Sequence, residues 1–275
     1  AVAAAVLGDS TAVEFVPTTT KTRFTSLQSG EIDMLSRNTT WSFQRDTELG
    51  LDFVGVNYYD GQGFMASADL GVSSATELDG ATICIQTGTT TELNLADFFR
   101  LNNISYEPVP IETNAEAQQQ YLAGACDAYT TDRSALAATR TSFEKPDDHV
   151  VLPEIVSKEP LGPVVRHGDN EWGDIVRWTL NAMITAEEFG VTAANAADLA
   201  ANSNIPEVKR LLGTEGKLAD YLGLDASWAL RAIQAVGNYG ESFDRNIGES
   251  TPIKLNRGVN SLWTDGGLIY APPFN

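Results

Sequence analysis

The chain is poor in the residues on which several kinds of chemistry depend. Among 275 residues there are two histidines, His149 and His167, and two cysteines, Cys84 and Cys126. Neither cysteine has a C-x-x-C partner, and no Cys/His cluster surrounds either histidine, so no metal site is expected. There is no G-x-S-x-G, and two scattered histidines do not build a catalytic triad. Gly61-x-Gly63 lacks the third glycine and the following helix of a dinucleotide fingerprint, and no cofactor is expected. Cations are scarce as well: 18 Lys and Arg face 37 Asp and Glu, a formal charge of −19. That balance speaks against nucleic acid, which needs a basic surface. No apolar run reaches the 18 residues of a membrane span. Internal repeats and low-complexity linkers are also missing.

What is present is a sizeable apolar fraction, 43%, arranged as alternating short strands and helices. This is an α/β pattern, long enough for one large or two modest domains. The stretch Gly30 to Arg45 carries the most information. A turn at Gly30 leads to the apolar residues Ile32, Met34 and Leu35, then to the polar loop Asn38-Thr39-Thr40, then to a helical segment holding Arg45. Loops at the carboxyl ends of strands are where open α/β sheets bind ligands. Hydroxyls, an amide and free N–H groups at a helix start suit an anion, and an arginine fork can grip a carboxylate twice. Thr40 can equally be a plain helix cap and Arg45 a solvated surface charge.

A second unit of the same kind spans Ile83 to Glu92. The strand Thr82 to Gln86 runs into Thr87-Gly88-Thr89-Thr90-Thr91-Glu92, where Thr89 and Glu92 have capping-box spacing ahead of Leu93, Leu95, Phe98 and Phe99. A third is the strand Cys126 to Thr131, closed by Asp132 before a helix over Ser134 to Thr139. Asp132 can pair with an ammonium group, cap that helix, or do both. The remaining pattern predicts strands at Ala12 to Val16, Phe53 to Tyr59, Ile104 to Val109, Val150 to Val156 and Gly162 to Arg166. Helices are predicted at Lys21 to Gln28, Ala115 to Ala123, Asn170 to Phe189, Val208 to Leu212 and Trp228 to Val236, before a Gly/Asn/Pro-rich tail. Cys84 and Cys126 fall in predicted strands, either as two buried thiols or as a disulfide. If bonded, the closed loop of about 43 residues is worth roughly 4 kcal/mol on the chain-entropy account.

Taken together these segments resemble the periplasmic solute-binding component of an ABC importer for amino acids, of the general L-amino acid-binding type. The likeness is carried by Ser36-Arg-Asn-Thr-Thr-Trp-Ser-Phe-Gln-Arg45, Gln86-Thr-Gly-Thr-Thr-Thr-Glu92 and Gly124-Ala-Cys-Asp-Ala-Tyr-Thr-Thr-Asp132. Glu159-Pro-Leu-Gly-Pro-Val-Val-Arg166 and Gly237-Asn-Tyr-Gly-Glu241 with the closing tail add to it. It covers nearly the whole chain, with the motifs in order. The resemblance implies two α/β lobes joined by two hinge strands and closing over a ligand in the cleft. Lobe 1 would be residues 1–63 plus 161–275, lobe 2 residues 64–160, with hinges near Gly61–Met65 and Pro160–Val164. By resemblance, Arg45 takes the α-carboxylate of an L-amino acid, helped by Asn38, Thr39 and Thr40. Thr87 and Thr90 add hydroxyl or N–H bonds, Asp132 takes the α-ammonium, and Cys84 and Cys126 form a disulfide. The partner would be a membrane permease and the location periplasmic.

The start of the chain is expected to depart from that pattern. Ala1 to Leu7 reads as a helix entered part-way, so the first strand of the fold and its ligand-walling loop are expected to be missing. A signal peptide is expected to have been removed already, and an oligomer is expected only if a swapped strand replaces the missing one. Two alternatives stand beside transport. One is a dehydratase-like enzyme acting on a small carboxylic acid, for which Glu92 is the nearest general acid. The other is a sensor that presents its ligand to a receptor. The preferred side chain is not legible, because threonine-rich loops bind only the part common to all amino acids.

Overall fold

The computed structural model describes residues 1–275, which fall into two compact units. The first comprises Ala1–Val16, Phe43–Asn57 and Gly162–Asn275; the second comprises Pro17–Ser42 and Tyr58–Leu161. In chain order the elements are α1 (Val2–Leu7), α2 (Arg23–Ser29), α3 (Phe43–Glu48), β1 (Leu51–Phe53), β2 (Tyr58–Asp60), β3 (Gln62–Ser67) and β4 (Ala81–Gln86). There follow α4 (Thr90–Asn102), β5 (Tyr106–Ile111), α5 (Asn114–Leu122), β6 (Ala128–Asp132), α6 (Arg133–Ser142), β7 (His149–Val151), β8 (Glu159–Leu161) and β9 (Val164–Arg166). The chain closes through α7 (Asn170–Glu188), α8 (Ala196–Asn202), α9 (Pro206–Leu211), α10 (Leu218–Tyr221), α11 (Trp228–Val236) and α12 (Tyr239–Asn246).

The second unit is built on a five-stranded sheet in the order β5-β4-β6-β3-β7. Strands β5, β4 and β6 are parallel, while β3 runs antiparallel to both β6 and β7. Period-two alternation assigns the two faces. Phe64, Ala66, Ile83, Ile85 and Ala128 pack with Leu95 and Phe99 of α4. Met65, Cys84 and Tyr129 pack with Ala117 and Tyr121 of α5 and Leu136 of α6. The Cys84–Cys126 disulfide, with Cα atoms 5.5 Å apart, lies on this second face. Short antiparallel pairs complete both units. In the second, β2 pairs with β8, and in the first, β1 pairs with β9.

Several predicted strands are revised. Ala12–Val16 carries no strand, and Phe15 is exposed; an extended segment without a neighbour has no ladder to join. Of Ile32 to Leu35 only Leu35 makes a bridge. The single strand predicted over Phe53 to Tyr59 is two, β1 and β2, parted around Gly55 at φ 151°. At Gly162 a Cβ would come within 1.9 Å of the Gly55 carbonyl oxygen, so the two backbones can meet only through glycine. The Asp60-Gly61-Gln62-Gly63 stretch, beyond the end of the predicted strand, leads directly from β2 into β3. Its glycines face Ile155 and the Arg133 side chain, where a Cβ would clash.

The first unit is mostly helical beyond β9. Helix α7 buries Val176, Ala182, Ile184 and Ala186, its second half from Asn181 to Ala186 being buried all round, and α11 packs against both α7 and α1. The closing tail is fastened twice. Phe274 stands edge-on to Trp178 at 5.0 Å and stacks on Trp228 at 6.4 Å, while its carbonyl accepts from Arg210 Nε at 2.5 Å. Arg257 grips Glu187 with both Nη atoms, at 2.9 and 3.2 Å, and lies 5.1 Å over the rings of Tyr239 and Phe243. Helix α12 opens on a capping box in which Asn238 Oδ1 accepts from Glu241 N and Glu241 Oε2 accepts from Asn238 N.

Phe274→Ala is therefore expected to lower stability by about 3–5 kcal/mol in urea unfolding, as removal of a buried aromatic does. Replacing Cys84 and Cys126 together by serine is expected to cost up to about 4 kcal/mol. Adding dithiothreitol to that double variant is expected to change nothing further.

Candidate functional site

In the second unit, β4 lies between β5 and β6, so the chain leaves it toward one side and later returns on the other. This is a topological switch point, where open α/β sheets hold ligands beyond the carboxyl ends of their strands. Two loops meet the requirement, the one after Gln86 and the one after Asp132.

After Gln86 the chain turns through Gly88, at φ 72°, into α4. Thr89 caps that helix by accepting from Glu92 N at 3.2 Å. The Glu92 carboxylate reaches back to Gly88 N at 3.0 Å rather than to the N–H of the cap itself. The Thr87 hydroxyl is buried without a hydrogen-bond partner, while its carbonyl accepts from Thr20 Oγ1 at 3.1 Å. An orphaned buried hydroxyl is costly. Thr90 opens the helix with its hydroxyl turned to Glu159 at 2.9 Å.

Asp132 occupies the cap position of α6, yet its side chain makes no cap bond. Its Oδ2 instead accepts from Asn38 Nδ2 at 2.8 Å. The start of α6 is served by Asp60 of β2, whose Oδ2 accepts from Ser134 N at 3.3 Å and from the Ser134 hydroxyl. Of the two readings open for Asp132 in the sequence, capping is thus taken by another residue.

Three carboxylates gather here. Asp60 and Glu159 stand opposite each other in the β2–β8 pair, a placement that costs stability for like charges. Asp132 is 4% exposed and Glu159 1%. Burial, reinforced by the charges of Asp60 and Glu159, pushes the Asp132 carboxyl up to about 7, against the pull of the Asn38 amide and Arg23. Burial also raises Asp60, opposed by its bonds to Ser134 and Gly61 N. Glu159 is held by four donors. Thr40 and Thr90 hydroxyls serve Oε2, and Asn94 Nδ2 (2.8 Å) and Ser157 Oγ (2.7 Å) serve Oε1. Arg23 lies below the Asn38 loop. Its Nη1 donates to the Asn38 carbonyl at 3.1 Å and to Thr39 Oγ1 at 3.4 Å, and its guanidinium sits 4.8 Å over Phe24.

Asn38, Thr39, Thr40, Thr87, Thr90 and Asp132 all belong to the second unit, whereas Arg45 is buried in α3 of the first. Thr39 is wholly buried against Arg23. The sequence did not point to Arg23, Asp60, Asn94 or Glu159 as parts of this group. For Glu159 the signal was available, an acid ahead of a proline in the short connection between two predicted strands. Asp60 stands just beyond the predicted strand Phe53 to Tyr59, with no local pattern to mark it.

The sequence model of the bacterial extracellular solute-binding proteins, family 3, matches residues 2–193. This chain belongs to that family. Over 274 residues it is 64% identical to the glutamate/glutamine/aspartate/asparagine-binding protein BztA of Rhodobacter capsulatus, covering 100% of this chain and 81% of that protein. It is 58% identical to the general L-amino acid-binding periplasmic protein AapJ of Rhizobium johnstonii, covering 99% and 80%. Among solved structures, an ABC transporter periplasmic binding protein from Brucella ovis with glutathione bound superposes with a TM-score of 0.97. It shares 54% identity and covers 100% of this chain and 86% of that one. The mixed α/β fold is thus that of the periplasmic binding proteins. Residues 194–275 lie beyond the family match, but these relatives share them. No helix of this family member is long and apolar enough to cross a membrane.

The raised Asp132 carboxyl gives a pH prediction. Between about pH 4 and pH 7 the folded protein holds a proton on Asp132 that the unfolded chain has lost. This group's contribution to stability therefore falls as pH rises through that window, by at most about 1.4 kcal/mol per pH unit. In ligand-free protein the stability of wild type relative to Asp132→Asn, followed by urea unfolding, is expected to decline from pH 4 to pH 7 and level off above.

Proposed function

We propose that this chain is a periplasmic binding protein that captures L-amino acids and hands them to the membrane permease of an ABC importer. The observation that carries the reading is Asp132. It is a buried carboxylate at the switch point of the sheet, released from helix capping by Asp60 and flanked by further acceptors. Such a group suits an α-ammonium. Arg45 is the proposed partner of the α-carboxylate. The Asn38–Thr40 loop, Thr87 and Thr90 are proposed to contact the groups that all amino acids share. A site that reads only those groups accepts many side chains, in keeping with the several amino acids in the relatives' names. It also accommodates the free amino-acid end of glutathione, the ligand of the Brucella protein.

The lobe limits implied by the resemblance, residues 64–160 in one lobe and residues 1–63 and 161–275 in the other, belong to the same proposal but differ from the two compact units, which group Pro17–Ser42 and residues 58–63 with the second. The passage of the chain between units at Leu161–Gly162 supports the second hinge. Transport is preferred over a dehydratase-like reaction. Glu92, the general acid that such a reaction would draw on, is exposed and bound to Gly88 N within its own helix turn.

The test is a thermal-shift series with the twenty L-amino acids on protein unfolded and refolded to strip carried-over ligand. A ligand at 100 times its dissociation constant is expected to add about 2.7 kcal/mol, with shifts from many amino acids. Arg45→Ala and Asp132→Ala are each expected to stay folded and to lose those shifts. Wild-type binding by either variant would remove that residue from the site.

A further inference from the structure

The chain passes between the two units at Asn57–Tyr58 and again at Leu161–Gly162. On the amino-acid-binding reading above, on which this inference rests, these passages are the hinges. The two passing strands pair as β1–β9 and as β2–β8, and the register breaks between the two pairs. From Phe53↔Val164 to Tyr58↔Leu161 the first strand has four intervening residues, 54–57, and the second has two, Gly162 and Pro163. Such a bulge leaves surplus residues outside the ladder and bends the ribbon. Its surroundings in the first unit are tight. Val54 N donates to the Pro163 carbonyl at 3.1 Å, the Gly55 carbonyl lies against Gly162, and a Cβ on Gly55 would come within 3.2 Å of Leu180 on α7. The last surplus residue is held from α12, where the Tyr239 hydroxyl donates to the Asn57 carbonyl at 2.9 Å. Tyr239 is itself fixed. Its ring is buried and lies 5.1 Å from the Arg257 guanidinium, and Arg257 donates to Glu187 of α7 at 2.9 and 3.2 Å and to the Asn260 carbonyl at 2.8 Å. At Gly240, the next residue, a Cβ would come within 2.7 Å of Glu187 Oε1, so α12 sits directly on this ion pair.

We infer that Tyr239 is a positioning residue of the first hinge: its hydroxyl pins the bulge at Asn57 to the first unit, so that less backbone remains to be ordered when ligand is captured. A backbone carbonyl outside a ladder needs a donor from elsewhere, and here the donor comes from 182 residues away. Tyr239 and Arg257 lie beyond residues 2–193, which the family model matches, whereas both passing strands lie within them. The closing segment thus adds a brace to a hinge that the matched part of the chain already contains. Tyr239 is not among the residues proposed to bind the ligand, and it acts through the freedom of the passing strand alone. A protein ordered in advance gives up less conformational freedom on binding. The pin also places the first pivot at residues 54–57, ahead of the Gly61–Met65 hinge that the resemblance implies.

The experiment compares wild type with Tyr239→Phe, which keeps the ring and removes only the hydroxyl. Hydrogen exchange followed by mass spectrometry is run on refolded, ligand-free protein. Calorimetry with the L-amino acid that gives the largest thermal shift supplies the dissociation constants. In the variant the amides of Val54 to Tyr58 are expected to exchange about two- to tenfold faster, the loss of one hydrogen bond. Those of α7 and of β4 are expected to keep wild-type rates. The dissociation constant is expected to rise by about two- to tenfold, and saturating amino acid is expected to shrink the difference in exchange. A hydroxyl that serves only general stability would instead quicken exchange evenly through the first unit and leave the dissociation constant alone. Even quickening, unchanged exchange at residues 54–58, or an unchanged dissociation constant each overturns the inference. If wild type binds no amino acid at all, the functional reading fails and this inference falls with it. If wild type binds and the variant matches it, only the inference fails.

Discussion

Buried negative charge is the constraint around which the second unit is arranged. Three carboxylates converge at one end of its sheet, and each must be satisfied where water is largely excluded. Glu159 takes two hydroxyls, an amide and a serine, Asp60 takes the start of α6, and Asp132 takes one amide of the Asn38 loop. Those donors come from segments far apart in sequence. Satisfying the charges therefore fixes where the Asn38–Thr40 loop, the Thr87–Thr90 loop and the ends of β2, β6 and β8 lie within the unit. Asp132 is the least completely satisfied of the three, and its raised carboxyl records the cost.

How far this was legible in the sequence depends on the range of the contacts involved. The strand–loop–helix order at Ile83–Glu92 is local, and the structure forms β4, the Thr89 cap and α4 there. Asp132 before its helix was equally visible. What its side chain does was not, because the competing cap comes from Asp60, seventy-four residues from Ser134. Glu159 lies 119 residues from Thr40, and no window of the sequence joins the two. The strand predictions failed where β-structure depends on a partner. Residues 12–16 have a suitable pattern but no neighbour, while Gln62–Ser67, with one glycine before it and one within it, gains neighbours on both sides in β6 and β7.

The first unit shows another use of long-range contacts. Residues 194–275, beyond the family match, are joined to α7 by side chains rather than by a sheet. Phe274 fills the space between Trp178 and Trp228, and Arg257 holds Glu187 while covering two aromatic rings. A tail rich in Gly, Asn and Pro has little helical propensity of its own, and its course follows from these anchors. Its sequence composition announced a tail, and the anchors could be recognised only once their partners on α7 and α11 were in place.

The disulfide has a topological consequence. By joining Cys84 to Cys126 it turns α4, β5 and α5 into a covalent ring, and the loop that carries Thr87 and Thr90 lies on that ring. A peptidase that cuts the chain anywhere between the two cysteines makes a nick without releasing a fragment. Both ends stay tethered beside β4 and β6, where the parallel ladder can hold them in register. In a compartment where proteins are exposed to proteolysis, the segment bearing the threonines can be broken once and still remain part of the molecule.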